Sequence, residues 1–316
     1  MENNIREKTD EGLVDIMELI SVIWEKRIKI LCLSGLTGIF SILFSLSLTD
    51  EYTAVIYLTE VKNDKETSLS SVSTGSPLSF SLPGGLGGGN GLSPELNTAI
   101  VFMKSWNFVD DFIKLNNLEV PLIAGRGWDP VSRELILDTN KYNEASGGWV
   151  DKGFDPYSPS VRWEIYQKLL DKLRIIPDKN TGVVQLSITS YSPELSLEWT
   201  ILFYKLVNKK MREKKLLILN NNIANINKQI RLNSNTSLKD RLYDIQSEQI
   251  KSKVIIEASP NFVFEPIGDT LAPFIKSYPR RTSITLGLTF IGSLLVVLVF
   301  IFKTLLTKQR KNFSNL

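Results

Sequence analysis

The side chains with the most chemical potential in this chain are cationic. Lys205, Lys209, Lys210, Arg212, Lys214 and Lys215 crowd one short stretch, with Glu213 as the acid among them. Such a group can form a solvated face, pair with acids of a neighbouring subunit, or attract an anionic polymer. The first two readings are the simpler ones. The chain has no histidine, and its single cysteine, Cys32, falls inside an apolar run. The commonest general base and metal ligand is therefore missing, and with it most zinc and triad chemistry. Carboxylates alone can also catalyse, but no two acids are placed to suggest an acid/base pair. No cofactor motif is found, so neither cofactor nor metal is expected, and the expected protein is not an enzyme.

Tryptophan is the other residue type with a binding chemistry. Trp128 and Trp149 sit among Gly, Asp and Pro, and Trp163 follows soon after. Their apolar faces can stack on sugar rings, or pack in a core or under a lid. Packing is the preferred reading.

The cationic stretch needs a long element to carry it. Ser192-Pro193-Glu194 supplies a capping hydroxyl, a proline for the first turn and an acid near the positive dipole end. Neither proline nor glycine occurs from Glu194 to Ser259. Leu195, Trp199, Leu202 and Leu206 recur at helical spacing, as do Leu219, Ile223, Ile226 and Ile230. A helix over 193–232 would be a rod of roughly 60 Å. The Asn-rich piece Leu232–Thr236 should break it, and Ser237 is expected to cap a second helix bearing Leu238, Leu242 and Ile245. The pair predicts a helical arm over 192–259.

Two apolar runs bracket this region. Ile30–Leu48 and Ile284–Phe302 carry no charge, and each is long enough for about one bilayer thickness. Lys26, Arg27 and Lys29 precede the first run, and Asp50 and Glu51 follow it. The positive-inside rule then puts the N-terminus in the cytoplasm. The second run is nearly tied, with Lys276, Arg280 and Arg281 before it and Lys303, Lys308, Arg310 and Lys311 after it. Two spans imply cytoplasmic termini (leader 1–29, tail 303–316) and an external domain between. Ser34, Gly38, Ser41 and Ser45 line one face of the first run. Small residues at this spacing let helices approach closely in lipid, although glycine and serine are also common there. In the leader, Leu13, Ile16, Met17, Ile20 and Ile23 suggest either an amphipathic helix at the membrane face or an extension of the first span.

The external segment mixes strand and helix signals, so an α+β fold is expected: two transmembrane helices flanking an α/β base domain over 49–191 with a long helical hairpin arm. Tyr52–Val61 reads as a strand. Ser68–Ser93 is a Gly/Ser/Leu loop, and Leu78, Phe80, Leu82 and Leu86 favour packing over a solvated linker. From Pro94 a broken helical stripe runs through Leu96, Ile100, Met103, Phe108, Phe112 and Ile113. Residues 125–160 look loop-like, and a helix follows over Val161–Leu173. Arg174–Pro177 and Val183–Ser190 read as strands around the turn Asp178–Gly182, with Val184, Leu186 and Ile188 marking one buried face. Phe262–Glu265 is a candidate return strand. Pro266, Pro273 and Pro279 then stiffen the approach to the second run (260–283).

In this order, the elements resemble the Wzz-type chain-length determinants, polysaccharide co-polymerases of Gram-negative surface-polysaccharide assembly. The likeness runs from the acidic leader and the Gly/Ser/Leu loop through PSVRWEIYQKL, DKNTGVVQLSITSYSPELSLEW and MREKK to the proline-punctuated approach. The resemblance implies an α/β base with a helical arm, in a two-pass protein of the bacterial inner membrane with its large domain in the periplasm. It also implies ring-like homo-oligomers whose partners are the polysaccharide polymerase and a lipid-linked glycan, with no nucleic acid. One branch of the wider family carries a tyrosine autokinase after the second span. No G-x-x-x-x-G-K-[ST] loop occurs here, so the form without a kinase is expected. The alternative is a membrane activator of a separate tyrosine kinase. A sensor or a hydrolase of the outer compartment fits less well.

Overall fold

The computed structural model describes residues 24–61 and 93–314. The leader helix and most of the loop expected over Ser68–Ser93 lie outside these residues. The chain divides into two compact units, Met1–Asp50 with Ser277–Leu316, and Glu51–Lys276.

The first unit is a pair of apolar helices, α1 (Arg27–Ser47) and, at the other end of the chain, α8 (Arg281–Ser314). Each is long and apolar enough to cross a membrane, and little of either surface is covered by protein. A core helix of a soluble protein would bury that surface. The second helix outlasts its apolar run and continues through residues 303–314.

The second unit is built on a four-stranded antiparallel sheet in the order β6-β7-β1-β8. β1 (Tyr52–Glu60) lies between β7 (Val184–Ser190) and the short β8 (Phe264–Pro266), with Ile56 opposite Leu186 and Leu58 opposite both Val184 and Pro266. β6 (Leu173–Pro177) pairs with the outer side of β7. Ala54, Ile56 and Leu58 are buried at alternate positions, as the two-residue period of a strand requires. On β7 the alternation fails. Ser187 and Thr189 are buried as well as Val184, Leu186 and Ile188. The reason is position: β7 is a central strand, and Ser187 sits between the bulkier Val55 and Arg174. Thr189 meets Thr53 hydroxyl to hydroxyl at 2.9 Å.

Among the described residues, four helices and two small hairpins come between β1 and the rest of the sheet. α2 (Pro94–Met103) starts at Ser93, whose hydroxyl accepts from the Leu96 amide at 3.0 Å. α3 (Trp106–Leu115) and the short α4 (Glu119–Ile123) follow. The expected stripe is thus divided at Lys104 and Ser105, and both parts place Leu96, Met103, Phe108, Phe112 and Ile113 in the core. The loop expected over 125–160 holds two small hairpins, β2 (Gly125–Asp129) with β3 (Glu134–Leu137) and β4 (Tyr142–Asn143) with β5 (Gly148–Trp149). α5 (Pro159–Lys172) then begins two residues before the expected start, because Pro159 occupies its first turn.

α6 (Pro193–Leu232) and α7 (Thr236–Ala258) form the arm. Ser192 caps α6 through the Leu195 amide at 3.3 Å. The cap of α7 differs from expectation. It is Asn235, whose Oδ1 accepts from the Leu238 amide at 3.3 Å, and Ser237 already lies within the helix. Asparagine is at least as good a cap as serine, and the residue placed first takes the role.

Candidate functional site

Along α6 the six cations have different surroundings. Lys205, Lys209 and Lys214 are exposed, while Lys210, Arg212 and Lys215 are partly buried. At about 100° per residue, Lys205, Lys209 and Arg212 share a face, and Lys210 and Lys214 point to the opposite side. Among the described residues, partners are seen for two of the six. Lys210 donates to Asp111 of α3 at 2.6 Å. That hydrogen bond, helped by the nearby charges of Asp111 and Glu213, raises the Lys210 ammonium above its ordinary pKa. Arg212 donates to the carbonyl of Ser259 at 3.1 Å, closing the C-terminal end of α7. The cationic stretch is therefore two groups, structural cations at the root of the arm and an exposed set beside them.

Just below these cations, Asn208 is buried on α6 and faces the return strand. Its Oδ1 accepts from the Val263 and Phe264 amides at 3.0 and 2.9 Å, and its Nδ2 donates to the Phe264 carbonyl at 2.7 Å. One side chain thus satisfies three backbone groups and sets β8 beside β1. The sequence reading missed it, since asparagine recurs along α6 and this one differs by its neighbours alone.

A buried ion cluster joins the helices of the base. Arg162 on α5 binds Asp110 of α3 with both Nε and Nη2, the former at 2.7 Å, and reaches Glu119 of α4 at 3.0 Å. Lys114 adds a second cation to Asp110 at 2.6 Å. Burial works against the Asp110 carboxylate, but the hydrogen bonds and charges of Lys114 and Arg162 outweigh it and hold its pKa below the ordinary value. All the acids and bases of this cluster are used on one another, which suits a structural clamp. No motif spacing links these residues, so only the folded chain shows them together.

The three tryptophans have separate partners. Trp128 meets Tyr52 edge-on, Trp149 packs on Tyr142 and Phe154, and Trp163 stacks on Trp106 with ring centroids 5.6 Å apart. Among the described residues no group of His, Cys, Asp and Glu is placed to hold a metal ion.

In the pair of apolar helices, small residues of α1 face α8 of the same chain. Gly38 lies against Thr289, and a Cβ at Gly292 would come within 2.9 Å of the Thr37 Cβ. Ser41 and Ser45 are buried, and the Ser45 hydroxyl points to the Arg281 carbonyl at 3.4 Å. Ser34 is partly buried. At one end Lys26 approaches Thr304 at 3.5 Å, and at the other Arg281 pairs with Asp50 at 2.8 Å, so the helices run antiparallel. That ion pair neutralises one of the cations that made the charge rule nearly tied. Of the three prolines, Pro266 ends β8 opposite Leu58, Pro273 lies in irregular chain, and Pro279 follows a cis peptide bond just before α8.

A pair of apolar antiparallel helices, each long enough to cross a membrane, together with an α+β domain bearing a helical hairpin defines the class of architecture. Within that class, the family model described as chain length determinant protein, Wzz, matches residues 12–114. The match takes in α1, β1, α2 and nearly all of α3, and over it the Wzz resemblance is shown. No curated protein matches the chain. Among solved structures, a full-length bacterial polysaccharide co-polymerase is similar at 8% identity and a TM-score of 0.37, covering 94% of this chain and 99% of that one.

Proposed function

We propose that this chain controls the length of a surface polysaccharide, O-antigen-like or capsular, as a non-enzymatic scaffold of the bacterial inner membrane. The match of the chain length determinant family over residues 12–114 carries the reading. The two apolar helices support a two-pass topology with both termini cytoplasmic and the Glu51–Lys276 unit in the periplasm. In this reading the subunits form a homo-oligomeric ring that works with the polymerase and its lipid-linked glycan. The exposed Lys205, Lys209 and Lys214 are its candidate contacts with a neighbouring subunit or the polymer.

The test is a gel ladder of surface polysaccharide from a host lacking its own length regulator, supplied with this chain and its cognate polymerase. A change from a featureless ladder to a clustered band is expected. An unchanged ladder, with the chain present in the membrane fraction, would reject the reading. The triple variant Lys205→Glu, Lys209→Glu, Lys214→Glu should shift the band. An unshifted band would mark these lysines as a merely solvated face.

A further inference from the structure

Leu271, Phe274 and Ile275 project from the chain that follows β8. Phe274 is 92% exposed, more than any other large apolar side chain among the described residues, and Ile275 and Leu271 are 81% and 74% exposed. A lone exposed apolar residue is ordinary, but three within so short a stretch form a patch that calls for a covering partner. The stretch has no regular structure and contains Pro273. It is followed by exposed Lys276, exposed Tyr278 and exposed Arg280, and α8 begins at Arg281.

The covalent chain limits where this patch can go. Phe274 lies at most roughly 25 Å along extended chain from the first residue of α8. If α8 crosses a bilayer, Phe274 is tethered close to the surface the helix emerges from. The composition suits that surface: apolar side chains for the acyl boundary, a tyrosine for the headgroup level, and cations for anionic phosphates. We propose that the segment Leu271–Ile275 dips into the periplasmic leaflet of the bilayer, with Lys276 and Arg280 among the lipid headgroups. The inference rests on the two-span reading above. It gives the external domain a second, lipid-mediated attachment next to α8.

The experiment places an environment-sensitive fluorophore on a single cysteine in the full chain, with Cys32→Ser as background. The probe sites are Phe274→Cys, Leu294→Cys in α8, and Lys179→Cys in the exposed turn before β7. Each variant is reconstituted into phosphatidylglycerol-containing vesicles that carry phosphatidylcholine spin-labelled at a shallow or a deep acyl position. Position 274 should emit at shorter wavelength than position 179 and lose most of its fluorescence to the shallow label. Position 294 should be quenched by the deep label, which tests the span reading independently. Quenching at 294 with none at 274 would overturn the lipid attachment and leave the spans intact. A blue-shifted but unquenched signal at 274 would also overturn it, assigning the patch to a second copy of the chain. Absence of quenching at both sites would reject the two-span reading itself.

Discussion

The two ends of α6 belong to one helix but are held in different ways. Near Pro193 the helix is part of the base core. Ser196, Trp199, Thr200, Phe203, Tyr204, Val207 and Asn208 are all buried, and Phe203 meets Phe108 and Phe112 edge-on at ring distances of 5.1 and 5.0 Å. Burial is strong enough there to push the Tyr204 phenol above its ordinary pKa. Beyond Arg212 only Leu219 and Ile230 are buried on α6, and only Ile256 on α7. The near half is ordered by tertiary packing. The far half depends on helix propensity, its caps and a thin seam with α7, such as Gln246 donating to Asn227 at 2.9 Å. Long helices without glycine or proline can persist on such terms, but with lower local stability than a buried one.

The largest expected effect tests this contrast directly. Phe203→Ala removes a fully buried ring and should cost about 3–5 kcal/mol, lowering the urea midpoint of the whole Glu51–Lys276 unit. Ile230→Ala removes a smaller side chain from the thin seam and should cost about 2 kcal/mol, the low end for such a truncation. Its effect should be confined to faster amide exchange in α6 beyond Arg212 and in α7. If exchange in β1 and β7 rose as much with Ile230→Ala as with Phe203→Ala, arm and base would be one cooperative unit.

Asn208 stands at the border of the two halves, and its loss should come next in size. Asn208→Ala orphans the Val263 and Phe264 amides and the Phe264 carbonyl, at about 1–3 kcal/mol for each buried group that water cannot reach. Partial hydration should bring the total to roughly 3 kcal/mol. Exchange should rise first at β8 and the adjoining edge of β1, where Leu58, Thr59 and Glu60 pair with it. Protection of β8 equal to the parent chain would show that pairing with β1 alone holds the strand.

The same contrast explains what the sequence revealed. Periodicity identified β1 and the two arm helices because each repeats its apolar positions at the period of its element. β7 was legible because Val184, Leu186 and Ile188 alternate in sequence, although both its faces are buried. The apolar runs were legible for a simpler reason, being uniform. The small hairpins at Gly125–Leu137 and Tyr142–Trp149 were missed because strands so short carry no readable alternation. Arg162, Asp110 and Glu119 were missed because their partnership spans three helices far apart in sequence. The cationic stretch was legible as composition but not as a site, since whether a lysine is free or paired depends on what packs beside it. Lys210 and Lys209 are neighbours in sequence, yet only the first reaches Asp111.

That ion pair gives the smallest effect and locates where base gives way to arm. The Lys210 and Asp111 side chains are 32% and 45% exposed, so solvent screens the pair heavily. Lys210→Met should therefore cost only about 0.2–1 kcal/mol at neutral pH. The sign of its pH dependence follows from the raised Lys210 pKa. The stabilisation is fully present below the ordinary lysine value of 10.5 and is lost as pH rises through the higher folded value. The midpoint difference between parent and variant should thus hold from neutral pH to that range and close above it. It should also shrink in about 1 M salt, where the screening length falls to about 3 Å. A loss well above 1 kcal/mol that ignored salt would mean the pair is shielded from water in solution. The buried half of α6 would then extend past Lys210, and the border drawn at Asn208 would have to move outward along the arm.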